Sequence, residues 1–323
     1  MTAEHILEIK KELLNEDRFF YGPKEVLRIY QQRYSEEKIP TLDFIKRFCR
    51  SNGLTNKRIK KQKGCSAYQH YPAHTIENLS DAISELDFVG EKYISGRGLP
   101  IIFISYNSLK PFKFREFKLI LSQTSKEALR FLEDLWERIP PPEILKVDND
   151  LAFIGSASGK RSLSRFVLFL LSRNISPLFI SPRSPWNSGS VEGGNNVFGT
   201  KFWNRYSFAS VEDIKDKLVE FNQAYNEYLG FSNNKAVCKT TKKARQIYFV
   251  RKVIEVKEQG YIDILNEHVT LPEEYINQFV FAEWDLERQL LKIQYENDKR
   301  LTLIKELDFK INSRLGWLHL FAP

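Results

Sequence analysis

Between residues 83 and 230 the sequence alternates between strand-like and helix-like segments, and this alternation constrains the fold more than any other feature. The strand-like stretches are short and apolar, and the helix-like ones carry apolar residues at spacings of three and four. In chain order they read LDFVGEKYI, LPIIFISY, SKEALRFLEDLWERI, ILKVD, SLSRFVLFLLSRN and SPLFIS. Such alternation predicts an α/β layer with a partly parallel sheet, and a hydrophobic content of 42% is enough for a packed core.

The segment ahead of this layer predicts three short helices of the helix-turn-helix type. Thr41 follows Pro40 and can cap the third helix, which Gly53 closes. The spacing of apolar and basic residues in that helix predicts an inner and an outer face. We predict that the inner face carries Phe44, Ile45, Phe48 and Cys49, and that the outer face carries Lys46, Arg47 and Arg50. The basic outer face favours contact with DNA, and an ordinary solvated helix face is the alternative.

The charge balance and one basic run favour nucleic acid as a partner. The chain has 49 Lys and Arg against 41 Asp and Glu, which gives a formal net charge of +8. The run KRIKKQK at 57–63 includes Lys57, Arg58, Lys60 and Lys61, and contact of such a run with phosphates releases counterions. We therefore predict that residues 1–64 form a helix-turn-helix DNA-binding region with a basic linker.

Beyond residue 230 the sequence pattern changes from alternating segments to strands alone. A second basic stretch, KTTKKARQ at 239–246, predicts a linker over 231–256. Short strand-like segments then follow one another as GYIDIL, HVTL, QFVFAEW, LLKIQY and LTLI. We predict a small β-barrel over 257–323, and the α/β layer then occupies 65–230.

Neither the amino-terminal sequence nor the cysteines indicate secretion. No stretch approaches the roughly 18 uninterrupted apolar residues of a membrane span, and the start MTAEHILEIKKELLNEDRFF is charged and amphipathic. Cys49, Cys65 and Cys238 lack CxxC spacing, so neither a disulfide framework nor a zinc ribbon is indicated. We expect a cytoplasmic protein that associates with the nucleoid and has no membrane partner.

Three carboxylates fall at related places in the predicted α/β layer. Asp87 lies in the first strand, Asp148 lies just past the strand ILKV, and Glu192 lies in a helix that follows a loop rich in Pro and Gly. Ligands gather beyond the ends of parallel strands, so the three side chains can converge, and converging carboxylates need cations between them. Mg²⁺ prefers carboxylate oxygens, and two such ions support in-line displacement at phosphorus. We predict that all three residues are catalytic and bind two Mg²⁺ ions, with Mn²⁺ as a substitute.

The blocks around these carboxylates resemble those of DDE integrases and transposases, which have a ribonuclease-H-like core. They are DFVG at 87–90, VDND at 147–150 and SPRSPWNSGSVEGGN at 181–195. The sequence resembles retroviral integrases and, more closely, bacterial insertion-sequence transposases. The resemblance implies a helix-turn-helix ahead of a ribonuclease-H-like core and a small β-barrel behind it. Matched block by block, it carries the three catalytic positions to Asp87, Asp148 and Glu192.

The two glycines after Glu192 depart from the family pattern, and the VDND block offers two aspartates for one catalytic position. Gly193 and Gly194 follow Glu192 at positions where bacterial relatives commonly carry larger or charged residues. Because each Gly costs a helix interior about 1 kcal/mol relative to Ala, we expect the helix to start weakly or bend there. Asp150 competes with Asp148 within VDND. We prefer Asp148, which directly follows the strand, and expect Asp150 to support the loop or reach a water.

The resemblance implies a DNA transposase or integrase that cleaves the ends of a mobile element and joins them to target DNA. Its partner is double-stranded DNA, and the concerted joining of two ends implies a homodimer or a larger synaptic complex. Lys160, Arg161 and Lys201 are further candidates for phosphate contacts, with ordinary solvated charges as the alternative. Two other functions stay open, namely a catalytically weak or domesticated DNA-binding relative and a structure-directed nuclease on the same core.

Overall fold

Two compact units make up the chain. One comprises residues 1–65 with 197–232, and the other comprises 66–196 with 233–323. The structure is a computed structural model, and it describes residues 2–55, 71–94, 98, 100–155, 158–182, 189–231, 245–256 and 258–312, with the backbone alone for 189–192. Residues 197–232 therefore group with the amino-terminal segment, although the sequence pattern assigned most of them to the α/β layer.

The first unit is helical. Its helices are α1 (Thr2–Asn15), α2 (Pro23–Arg33), α3 (Leu42–Ser51) and α9 (Val211–Leu229), and a π-helical turn occupies Gly199–Trp203. Apolar residues at helical spacing fill the core between the first three helices. These residues are Ile6, Ile9, Leu13, Val26, Ile29, Tyr30, Ile45 and Cys49. The amino-terminal helices predicted from the sequence are confirmed.

Helix α3 begins and ends where its sequence predicts. The Thr41 hydroxyl accepts a hydrogen bond from the Phe44 N–H at 3.2 Å, and Gly53 follows the helix with a left-handed φ of 67°. Ile45 and Cys49 lie four residues apart and are fully buried. The prediction that Phe44 points inward is wrong, because its side chain lies one position off this stripe and is 43% exposed.

Helix α9 has local capping groups at both ends. Ser210 accepts a hydrogen bond from the Asp213 N–H at 3.1 Å, and the Asp213 carboxylate accepts one from the Ala209 N–H at 3.1 Å. Gly230, at a left-handed φ of 78°, ends the helix. Phe221 on its inner face is fully buried.

The second unit contains a mixed sheet and the remaining described helices. The strands of the large sheet are β1 (Ile83–Lys92), β2 (Ile101–Lys110), β3 (Phe114–Ile120), β4 (Ile144–Val147), β5 (Ser176–Phe179), β6 (Gln246–Lys252), β10 (Phe279–Asp285), β11 (Leu290–Asn297) and β12 (Arg300–Asp308). The helices are α4 (Ala73–Glu77), α5 (Ser125–Trp136), α6 (Leu151–Ile154), α7 (Arg165–Ser172) and α8 (Gly189–Phe198), which extends past the boundary of the unit, and a 3₁₀ turn occupies Glu273–Tyr275. A smaller antiparallel sheet joins β7 (Ile254–Val256), β8 (Gln259–Ile264) and β9 (Glu267–Leu271).

The large sheet has the order β12-β11-β10-β6-β5-β4-β1-β2-β3. Its four central strands, β6, β5, β4 and β1, pair in parallel, and the outer strands pair antiparallel. The short strands β4 and β5 are buried along their whole length, as expected for parallel strands covered on both faces. The predicted α/β layer with a partly parallel sheet is confirmed.

The carboxy-terminal strands extend this sheet. β10, β11 and β12 join it through β6, which pairs with β5 on one side and with β10 on the other. β6 lies within the predicted linker at 231–256, and its buried Ile247, Phe249 and Val250 belong to the core. The carboxy-terminal β-region is present, but the predicted separate small β-barrel is not confirmed. The sequence pattern indicates which segments are strands and leaves their pairing partners open.

No helix within the described part of the chain is long and apolar enough to cross a membrane.

Candidate active site

Two neighbouring parallel strands place Asp87 and Asp148 side by side. β1 and β4 pair in parallel, with Glu85 opposite Lys146. Continued by two residues, this register puts Asp87 level with Asp148, which directly follows β4, and the charge of Asp148 is close enough to raise the pKa of Asp87. Because side chains two residues apart on a strand share a face, this acidic pair lies on the face that also carries Glu85 and Lys146.

The acidic pair carries the pKa shifts expected of crowded carboxylates. Burial, and then the nearby charge of Asp148, raise the pKa of Asp87 to about 7, against opposing hydrogen bonds from Asn195 and the Phe88 N–H. Burial likewise raises the pKa of Asp148, although the Asp150 N–H donates to its carboxylate at 3.0 Å. Two such groups favour either a bound proton or a cation.

Asn195 of α8 contacts this pair directly. Its Nδ2 donates a hydrogen bond to Asp87 Oδ2 at 2.9 Å, and its Oδ1 is buried without a hydrogen-bond partner among the described residues. Our sequence reasoning missed Asn195. A signal was available, because residues three apart on a helix lie on one face and Asn195 follows Glu192 by three.

Glu192 lies in α8 by its backbone, and its side chain lies outside the described residues. Among the residues that the structure does describe, no group of three or more His, Cys, Asp or Glu side chains could hold a metal ion. The groups present nevertheless fit a hard cation, which prefers oxygen ligands. They are the carboxylates of Asp87 and Asp148 and the unpartnered Oδ1 of Asn195.

The loop after β4 separates the roles of Asp148 and Asp150. The Asp150 side chain accepts a hydrogen bond from the Ala152 N–H at 2.7 Å and so caps α6. Asn149, between Asp148 and Asp150 in the sequence, donates a hydrogen bond from its side-chain amide to the Ile180 carbonyl. Asp150 thus supports the loop, as one of the two sequence-based alternatives expected, while Asp148 keeps its carboxylate beside Asp87.

A line of polar side chains, here called the polar row, crosses four strands next to the acidic pair. Arg115 of β3 lies opposite Asn107 of β2, Asn107 lies opposite Glu85 of β1, and Glu85 lies opposite Lys146 of β4. Glu85 is 2% exposed, accepts a bond from Asn107 Nδ2 at 3.0 Å, and pairs with Lys146 Nζ at 2.7 Å. Three members of the polar row, Glu85, Asn107 and Lys146, are therefore buried, and two of them form an ion pair two residues ahead of the acidic pair.

Helix α8 runs through Gly193 and Gly194 without interruption. The two positions differ. Gly193 is exposed and a Cβ there would meet nothing within 4 Å, whereas Gly194 is buried against the guanidinium of Arg115.

Of the basic residues predicted to contact DNA, the three on α3 are exposed. Lys46, Arg47 and Arg50 lie on its outer surface, and Lys46 pairs with Asp43 at 3.0 Å. The four residues of the basic run, Lys57, Arg58, Lys60 and Lys61, lie outside the described residues.

The other three candidates contact protein groups. Lys160 and Arg161 lie 3.8 and 3.7 Å from the Glu267 carboxylate of β9, and the Arg161 N–H donates to the Leu265 carbonyl at 2.9 Å. Lys201 belongs to the first unit, where its ammonium lies 3.8 Å from the centre of the Tyr21 ring. Glu267 therefore offsets both loop cations.

No family model matches this sequence, and no curated protein matches it. The solved structures to which the chain is similar include the HTLV-2 integrase catalytic core domain in complex with magnesium, at 14% identity and a TM-score of 0.33, over 51% of this chain and 93% of that one. A chain of the simian T-cell lymphotropic virus intasome in complex with PP2A regulatory subunit B56 gamma matches at 15% identity and a TM-score of 0.38, over 91% and 100%. The catalytic core of BIV integrase matches at 14% and 0.33, over 47% and 95%.

The chain is thus similar in structure to retroviral integrase cores. The closer resemblance to bacterial insertion-sequence transposases stays a prediction.

Proposed function

We propose that this chain is a DDE-type DNA transposase or integrase that cleaves DNA ends and transfers them to target DNA. One observation carries the proposal. Asp148, directly after β4, lies near Asp87 of the adjacent parallel strand β1, and Asn195, from the helix that contains Glu192, bonds to Asp87. The three sequence blocks that resemble the integrase and transposase motifs thus each contribute a residue at or near one pair of carboxylates.

In this proposal Asp87, Asp148 and Glu192 hold two Mg²⁺ ions, or Mn²⁺ in their place. The ions, when bound, activate the attacking oxygen and stabilise the leaving oxygen of a phosphodiester. The protein's own groups prepare the ligands. Asn195 orients the Asp87 carboxylate and favours its ionised form, and the Asp150 N–H does the same for Asp148.

The proposal assigns DNA binding to the basic residues of both units. The helices α2 and α3 act as a helix-turn-helix with Lys46, Arg47 and Arg50 toward the DNA, supported by the exposure of these side chains. The further contacts are Lys57, Arg58, Lys60, Lys61, Lys160, Arg161 and Lys201. The carboxy-terminal strands add DNA or protein contacts, and the joining of two DNA ends calls for a homodimer or a larger assembly.

The test is cleavage and joining of oligonucleotide duplexes that carry the terminal repeats flanking the gene, with Mg²⁺ or Mn²⁺. Wild type is compared with Asp148→Asn and with Asp81→Asn, a control at an exposed Asp just ahead of β1. We expect metal-dependent joining in wild type and control and its loss in Asp148→Asn. Cleavage without joining would identify a nuclease, and specific binding without cleavage would identify a DNA-binding relative.

A second measurement addresses the DNA interface. Replacing Lys46, Arg47 and Arg50 together by Gln should weaken DNA binding and reduce the slope of log affinity against log salt by about 0.9 for each phosphate that these side chains neutralise in wild type. An unchanged slope would remove α3 from the proposed DNA interface.

A further inference from the structure

Gly194 lies where a helix and a guanidinium approach closely. A Cβ at this position would lie 1.4 Å from Arg115 Nη1 and 2.7 Å from Arg115 Cζ. Since Gly disfavours a helix interior, its presence in α8 calls for a reason, and the space taken by Arg115 supplies one. Gly193 has the same helical cost and no such neighbour.

The backbone of Arg115 is held in the sheet by the pairing of β3 with β2. Its cross-strand partner Asn107 bonds to Glu85, which pairs with Lys146. Directly opposed residues on paired strands point to the same face, so Arg115 projects from the face that carries the acidic pair. It spans from this face to α8.

Two consecutive residues of α8 therefore meet the sheet. Gly194 packs on Arg115, and Asn195 donates to Asp87. A shift of α8 at Gly194 moves Asn195 as well, because the two residues share one rigid turn. The same turn carries the backbone of Glu192.

We propose that Arg115 is a positioning residue that holds α8 against the acidic pair, and that Gly194 is the space it requires. The inference rests on the proposed function in one respect, because Arg115 then sets how far α8, which carries the proposed third carboxylate Glu192, lies from Asp87 and Asp148. The anchoring itself is a property of the fold.

Hydrogen exchange of peptides from α8 tests the anchoring without any metal or DNA. Arg115→Met and Gly194→Ala should each speed exchange in α8 by about tenfold or more, because both disrupt the packing of Arg115 on the helix and lower the free energy of local opening. The double variant should exchange no faster than Arg115→Met, since without the guanidinium the Ala side chain no longer meets its close neighbour and removes the helical cost of Gly. Gly193→Ala is the matched control and should exchange no faster than wild type.

Mn²⁺ titration then tests whether the anchor reaches the carboxylates. We expect Arg115→Met to bind Mn²⁺ about tenfold more weakly, as for other groups that orient metal ligands, with an unchanged urea midpoint. The inference is overturned if α8 exchanges in Arg115→Met at the wild-type rate, or if Gly194→Ala and Gly193→Ala exchange at the same rate. It is also overturned if Arg115→Met exchanges faster but binds Mn²⁺ with wild-type affinity. If wild type itself binds no Mn²⁺, the proposed function fails, and faster exchange in Arg115→Met still supports the anchor.

Discussion

Replacing Lys146 by Met should destabilise the second unit more than an ordinary loss of an ion pair does. Lys146 lies 2.7 Å from Glu85, which is 2% exposed and keeps Asn107 as its remaining partner in the polar row. Removing one member of a buried pair leaves the other charge uncompensated, which costs about 3 to 5 kcal/mol. Urea unfolding followed by circular dichroism measures this loss as a lower midpoint.

The loss comes from the uncompensated charge of Glu85, and two further variants test this cause. Adding Glu85→Gln to Lys146→Met removes the charge and should recover most of the stability. Lys118→Met breaks the exposed pair of Lys118 with Asp134 and should cost about 1 kcal/mol or less. An uncompensated charge on Glu85 is not the cause if Lys146→Met costs no more than Lys118→Met, or if the double variant is as unstable as Lys146→Met alone.

Three further outcomes follow from single groups. With EDTA present, the free energy of unfolding should fall as the pH rises from about 4 to about 7, because the pKa of Asp87 rises from 3.8 to about 7 on folding. Asp87 alone contributes up to about 4 kcal/mol to this fall. In urea unfolding, Asp87→Asn should be as stable as wild type near pH 4 and more stable than wild type at pH 8. Asn195→Leu removes the bond to Asp87, so Mn²⁺ titration should show affinity about tenfold weaker at neutral pH, and an unchanged affinity would contradict the role of Asn195. Ser210→Ala removes the cap of α9 and should cost about 1 kcal/mol in thermal unfolding, whereas Ser207→Ala, at an exposed loop residue, should cost little.

Local sequence signals predicted much of this molecule because they act within a few residues. Thr41 bounds α3 through a bond to its own helix, and Gly53 does so through its own left-handed backbone conformation. The strand and helix alternation predicted the parallel strands. The place of Asp148 then followed from the rule that polar groups gather at strand ends.

The features that the sequence left open depend on residues far apart in the chain. Gly194 is unfavourable in a helix interior, and the sequence shows no reason for it. The reason is Arg115 of β3, which occupies the space that a Cβ at position 194 would need and lies far away in the chain. The strand β6 reads as part of a linker because the basic stretch precedes it, and only its pairing with β5 and β10 makes it central to the sheet. Asn195 carries no charge, so a search for carboxylates passes over it.

The charges around the acidic pair bear on what must accompany a DNA substrate. In the polar row, Glu85 and Lys146 offset each other, whereas the described groups that bond to Asp87 and Asp148 are uncharged amide and backbone donors. The raised pKa values of both groups indicate that these neutral donors do not compensate for burial and, at Asp87, for the charge of Asp148. A phosphodiester brought to the same place adds a further negative charge. If DNA reacts here, we therefore expect cations to bind with it or before it.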